Sequence, residues 1–132
     1  MELSDAEWRV MDVVWRVGAA SVRDAHDALA RDTGWAYSTV KTMLTRLAEK
    51  GAVRQRKQGN VSIFEPLVSQ DDARRSAVSR LLDRAFDGTI GSMFQYLFGK
   101  QKLSARDRDE LRALLAADKE PPGRGGDRKR RR

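Results

Sequence analysis

Residues 36–66 constrain the fold more than any other part of the chain. A polar, basic helical stretch, AYSTVKTMLTRLAEKG, runs directly into two basic, β-prone segments, VRQRKQGNVSIFEP. Val40, Met43, Leu44 and Leu47 recur at i, i+3, i+4, i+7 spacing, so they form one stripe facing a core. The other face carries Ser38, Thr39, Lys41, Thr42, Thr45 and Arg46. Short hydroxyls and flexible cations fit a major groove and bond to phosphates as well as base edges. Gly51 tolerates the left-handed backbone of a helix end, so the helix is predicted over Ser38–Lys50. Gln58-Gly59-Asn60 is the predicted turn of a hairpin, with strands at 53–57 and 61–65 and Pro66 fixing the exit. Arg54, Arg56 and Lys57 lie on or near its tip. A winged helix-turn-helix needs this order of elements to read DNA; the other reading is a solvated helix face.

The upstream residues supply the rest of such a domain. Ser4-Asp5-Ala6-Glu7 is a capping box, with Leu3 and Trp8 placed as a staple, and predicts a first helix from Asp5 to Gly18. Trp8, Met11, Val14 and Trp15 form its expected buried face. Ser21-Val22-Arg23-Asp24 repeats the cap for a second helix, with Val22, Ala25 and Leu29 inward, running to about Arg31 before Thr33-Gly34. Trp35 and Tyr37 lie just before the reading helix. An aromatic there packs the turn or leans on the sugar–phosphate backbone, and Tyr37 joins the expected contact residues.

After the hairpin the helical period returns. Ser69 caps a fourth helix whose stripe holds Ala73, Ala77, Leu81 and Ala85 with Val78, Leu82 and Phe86. Ile90, Met93, Phe94, Leu97 and Phe98 make a short apolar fifth helix, and Ser104 caps a sixth with Leu111, Leu114 and Leu115 inward. These helices carry more apolar surface than one copy readily hides, which points to a homodimer through residues 70–117. The other reading folds them back on their own domain. The expected organisation is a mostly α chain with a small β-hairpin: a winged-helix domain over 1–67, a three-helix dimerisation region over 68–118, and a disordered basic tail over 119–132.

Charge supports the same division. The net charge of +7 is uneven: residues 1–33 hold four arginines against seven carboxylates, whereas 34–60 hold six cations against one. The positive field therefore sits on the reading helix and hairpin. The tail RGGDRKRRR adds more positive charge without an apolar residue to bury. It serves either non-specific phosphate attraction or solubility. No stretch reaches the ~18 apolar residues of a membrane span, and the N-terminus lacks a signal-peptide pattern. With no cysteine, disulfides and thiolate metal sites are excluded, and a cytoplasmic location is expected. His26 is the one histidine, and a lone histidine is more often packing or surface than ligand or catalyst. Asp71 and Asp72 suit a helix N-terminus better than a metal site. No phosphate loop, nucleophile elbow or zinc spacing occurs, so neither catalysis nor a cofactor is expected.

The order of these pieces resembles the penicillinase-repressor family (the BlaI/MecI/CopY type). The matching segments are LSDAEWRVMDVVW, YSTVKTMLTRLAEKGAVRQRKQG, IFEP and LSARDRDELRALL, so the resemblance runs to about Ala117. It implies a winged-helix repressor, dimeric through its C-terminal helices, on a dyad-symmetric operator of resistance genes. Ser38, Thr39, Lys41, Thr42 and Arg46 then fall on the family's reading helix, and Arg54, Arg56 and Lys57 come by the DNA backbone. Members paired with a membrane-bound sensor protease are released by a cut that here falls in Ser92–Phe98, with Tyr96–Leu97 the candidate bond. The copper-responsive branch uses a cysteine cluster, which this chain lacks. Two rivals stay open. One is a winged helix holding an effector between its apolar helices, for which Gln95 and Tyr96 are the evident polar groups. The other is a basic module for RNA or an acidic protein.

Overall fold

The computed structural model describes residues 1–99 and 103–117. Its elements are α1 (Asp5–Val17), β1 (Ala20–Ser21), α2 (Val22–Thr33), α3 (Tyr37–Lys50), β2 (Val53–Gln58), β3 (Val61–Pro66), α4 (Gln70–Ala85), α5 (Ile90–Gly99) and α6 (Ala105–Ala117). Both capping boxes form. Ser4 Oγ accepts the Glu7 N–H while Glu7 accepts the Ser4 N–H, and Ser21 and Asp24 do the same at the start of α2. The second helix extends two residues past Arg31, to Thr33, before Gly34 stops it in the left-handed region.

One strand had no sequence signal. Ala20 and Ser21 pair with Phe64 and Ile63, so β1 turns the hairpin into a three-stranded antiparallel sheet in the order β1-β3-β2. Two residues between helices carry no period, and pairing alone makes them a strand. The hairpin loop is also tighter than expected. Gln58 pairs with Val61, leaving Gly59-Asn60 as a two-residue loop with Gly59 at φ +66°, the place where such loops favour glycine.

The central strand and three helices close on one core. Phe64 is 2% exposed, surrounded by Val10, Met11, Val14, Ala25, Val40, Leu44 and Leu47. The buried face of α1 differs from expectation. Val10 and Val13 are inside with Met11 and Val14, whereas Trp8 and Trp15 are half-buried, their rings 5.8 Å apart and tilted. An indole at the rim keeps its polar nitrogen satisfied. Trp15 Nε1 donates to the Val68 carbonyl at 2.9 Å, fastening the segment that leaves β3 onto α1.

The chain divides into two compact units, Met1–Leu81 and the residues from Leu82 onward, the division falling within α4. None of α4, α5 or α6 has a buried residue. In the second unit Phe94 stacks on Phe98 and Phe86 tilts against Tyr96, each pair with centroids 6.0 Å apart. Leu114 and Leu115, expected inward, are 66% and 74% exposed in the single chain. Among the described residues no helix is long and apolar enough to cross a membrane. The basic tail lies outside the described residues.

Candidate nucleic-acid interface

The site is built on α3. Its Val40–Leu44–Leu47 stripe is wholly buried, with Met43 half-buried beside it. The helix therefore cannot rotate without exposing its core side chains, and Ser38, Thr39, Lys41, Thr42, Thr45 and Arg46 are all held outward. Unlike α1 and α2, α3 has no side-chain cap and no acid in its first turn. Its partly positive N-terminal end is thus unneutralised by carboxylates of its own. The C-terminal end is anchored: Lys50 Nζ reaches Glu7 Oε1 at 2.6 Å and the Glu2 carbonyl at 2.7 Å. Burial pushes the Glu7 carboxyl up, but the Lys50 ammonium and the Ser4 amide outweigh burial and hold it below its ordinary value.

The aromatics before α3 have separate tasks. His26 Nε2 lies 3.0 Å from the Trp35 carbonyl oxygen, and its ring meets Tyr37 edge-on at 5.9 Å. Trp35 packs against the core and Tyr37 stays half exposed at the start of α3. His26 is thus the post against which the turn is set.

In the wing, β2 and β3 place Arg54 opposite Glu65. Arg54 Nη2 and Arg56 Nε lie 2.8 and 3.1 Å from Glu65 Oε1, and the two guanidinium groups hold the Glu65 carboxyl below its ordinary value. Both arginines are therefore engaged across the hairpin. Lys57 forms no ion pair among the described residues. It joins Lys41, Tyr37 and Thr45 of α3 in an open groove of about 490 Å³ between helix and wing. Gln55 and Asn60 add amides to the same groove, Gln55 Nε2 donating to Ser62 Oγ at 3.1 Å. A shallower surface of about 300 Å³ continues along α3 over Lys41, Thr42, Thr45, Arg46 and Glu49. Positive charge, hydroxyls and amides meet along one strip, the chemistry that a phosphate backbone with exposed base edges requires.

The residues expected to form the dimer lie elsewhere. Leu81 is 49% exposed; Leu82, Phe86, Met93, Phe94, Leu97 and Leu111 are half-buried; Phe98 is exposed. Tyr96 and Leu97 sit inside α5, with Tyr96 exposed. Gln95 and Tyr96 do not converge on the small groove of the second unit, which Phe98, Arg108, Leu111, Arg112 and Leu115 line.

The family model described as Penicillinase repressor matches residues 3–117. This chain belongs to the penicillinase repressor family. It is 30% identical over 118 residues to the penicillinase repressor of Bacillus licheniformis, covering 89% of this chain and 92% of the relative. It is 27% identical over 114 residues to the methicillin resistance regulatory protein MecI of Staphylococcus aureus (strain N315), covering 86% and 93%. The solution structure of the DNA-binding domain of the repressor BlaI superposes with a TM-score of 0.50 at 34% identity, over 54% of this chain and 87% of that one. Family membership accounts for the winged helix and for a repressor that binds DNA.

Proposed function

We propose that this DNA-binding transcriptional repressor works as a homodimer on a dyad-symmetric operator, its two α3 helices entering major grooves about 34–36 Å apart or a multiple of that. The observation that carries the reading is the outward face of α3, which from Ser38 to Arg46 presents hydroxyls and cations, held there by a buried stripe and flanked by a basic groove. Lys41 and Arg46 hold phosphates or guanines; Ser38, Thr39, Thr42 and Thr45 complete register and readout. With roughly 8 phosphates neutralised per dimer, log K falls against log salt with a slope near −7.

The dimer is supported by α4, α5 and α6, in which no apolar side chain is fully buried in one copy. A dimer covering a promoter excludes polymerase. A membrane-bound sensor protease in the cytoplasmic membrane relieves it by cutting α5 near Tyr96–Leu97. The separated protomers then lose the intramolecular second contact and most of their affinity. The names of the relatives point to β-lactam resistance or a related stress response as the regulated genes.

The test is a gel shift on the DNA upstream of the protein's own gene at two salt concentrations, wild type against the double variant Thr42→Ala/Arg46→Ala. A discrete, salt-sensitive complex lost in the variant is expected. A smear that survives in the variant and disappears when residues 121–132 are removed means that the tail alone binds, and the reading falls.

A further inference from the structure

The wing arginines were the expected backbone contacts, yet both are engaged by Glu65. The groove between α3 and the wing has a cation from a third element. Arg23, in the first turn of α2, lines it together with Ser21, Lys41 and Lys57, and no acidic side chain lines it. Arg23 is exposed and forms no ion pair or hydrogen bond among the described residues. The two acids nearest it in sequence do not claim it: Asp24 accepts the Ser21 N–H as the reciprocal half of the cap, and Asp27, one turn on, forms no ion pair with it. A guanidinium left free at the rim of an acid-free groove is placed for bidentate bonding to an anionic oxygen pair.

We propose that Arg23 is an operator-binding residue, the third corner of a phosphate clamp with Lys41 of α3 and Lys57 of the wing. The inference rests on the DNA-binding reading and deepens it. The clamp spans three elements, α2, α3 and β2, so the strand that it grips crosses the groove rather than running along α3 alone. Arg23 carries no sequence information. It sets the angle and depth at which α3 enters the major groove, as phosphate contacts do in general.

The experiment is the dependence of duplex affinity on salt for the full-length protein, using the DNA upstream of its own gene, for wild type, Arg23→Ala, Arg23→Lys and Arg9→Ala. Arg9 is an exposed cation on α1 outside the groove and controls for loss of charge as such. One phosphate contact per protomer contributes about 0.9 to the slope, so Arg23→Ala in a dimer flattens it by about 2. Arg23→Lys restores the slope and Arg9→Ala retains it; a merely structural role for Arg23 moves neither value in this pattern. An Arg23→Ala slope equal to wild type, with the Thr42→Ala/Arg46→Ala complex still lost, overturns the clamp and leaves the repressor reading standing. A wild type that forms no salt-sensitive complex overturns the reading beneath it.

Discussion

At the scale of single residues, Glu7 shows how one side chain serves two structures. It completes the capping box of α1 and, 5% exposed, pairs with Lys50 at the far end of the reading helix. Its first role is written in the SxxE spacing; the second joins residues 43 apart and has no local signal. Replacing Glu7 by Gln keeps a hydrogen-bonding group but removes the charge, and should cost about 1–2 kcal/mol, read as a lower thermal midpoint. Because the folded carboxyl lies below its ordinary value, its contribution is complete above about pH 4.5 and is lost as pH falls through the folded value. Wild type should therefore lose more stability between pH 6 and pH 3 than Glu7→Gln does. Parallel melting curves would refute the assignment. Glu65 makes a second prediction at this scale. Glu65→Gln releases Arg54 and Arg56 from the hairpin, so non-specific duplex affinity should rise and its salt dependence steepen. An unchanged slope would mean that the arginines are not restrained.

At the scale of elements, α3 was the most legible part of the chain. Its stripe, its outward cations and its end at Gly51 all follow from helical period and backbone sterics, and its start at Tyr37 departs by one residue. Gly51 holds φ +87°, and its N–H bonds to the Ala48 carbonyl while that of Ala52 bonds to the Leu47 carbonyl. A Cβ there meets no neighbouring atom, so the cost of Gly51→Ala is conformational, about 1 kcal/mol. Leu44→Ala, at a wholly buried position, should cost about 2–5 kcal/mol. Chemical denaturation that ranks the two variants the other way would contradict this account of the helix. The indoles of α1 are half-buried at the edge of the core and not inside it. A large ring counts as apolar in a periodic pattern, but the N–H of Trp15 needs a partner and finds the Val68 carbonyl at the rim, while Val10 and Val13 fill the interior.

At the scale of the whole molecule, the exposed leucines of the C-terminal helices carry the prediction. Leu81 and Leu115 are exposed in one copy, so Leu81→Glu/Leu115→Glu should leave the winged-helix core intact while converting a dimer into a monomer. Sedimentation equilibrium measures the mass, and helical circular dichroism checks that the fold survives. A wild type already monomeric at tens of micromolar would remove the dimer and the dyad operator with it.

Sequence alone determined the features that depend on neighbours along the chain: caps, helical stripes, the glycine stops, the hairpin and the segregation of positive charge. These arise from short-range sterics and periodicity, which the order of residues contains. Tertiary structure decided what depends on contacts between distant residues. It made Ala20–Ser21 a strand against β3 and joined Glu7 to Lys50. It also engaged Arg54 and Arg56 with Glu65 and brought Arg23, Lys41 and Lys57 to the lining of one groove. Whether a cation is free or paired is set by what folding places within a few ångströms of it, and residue order does not specify that distance.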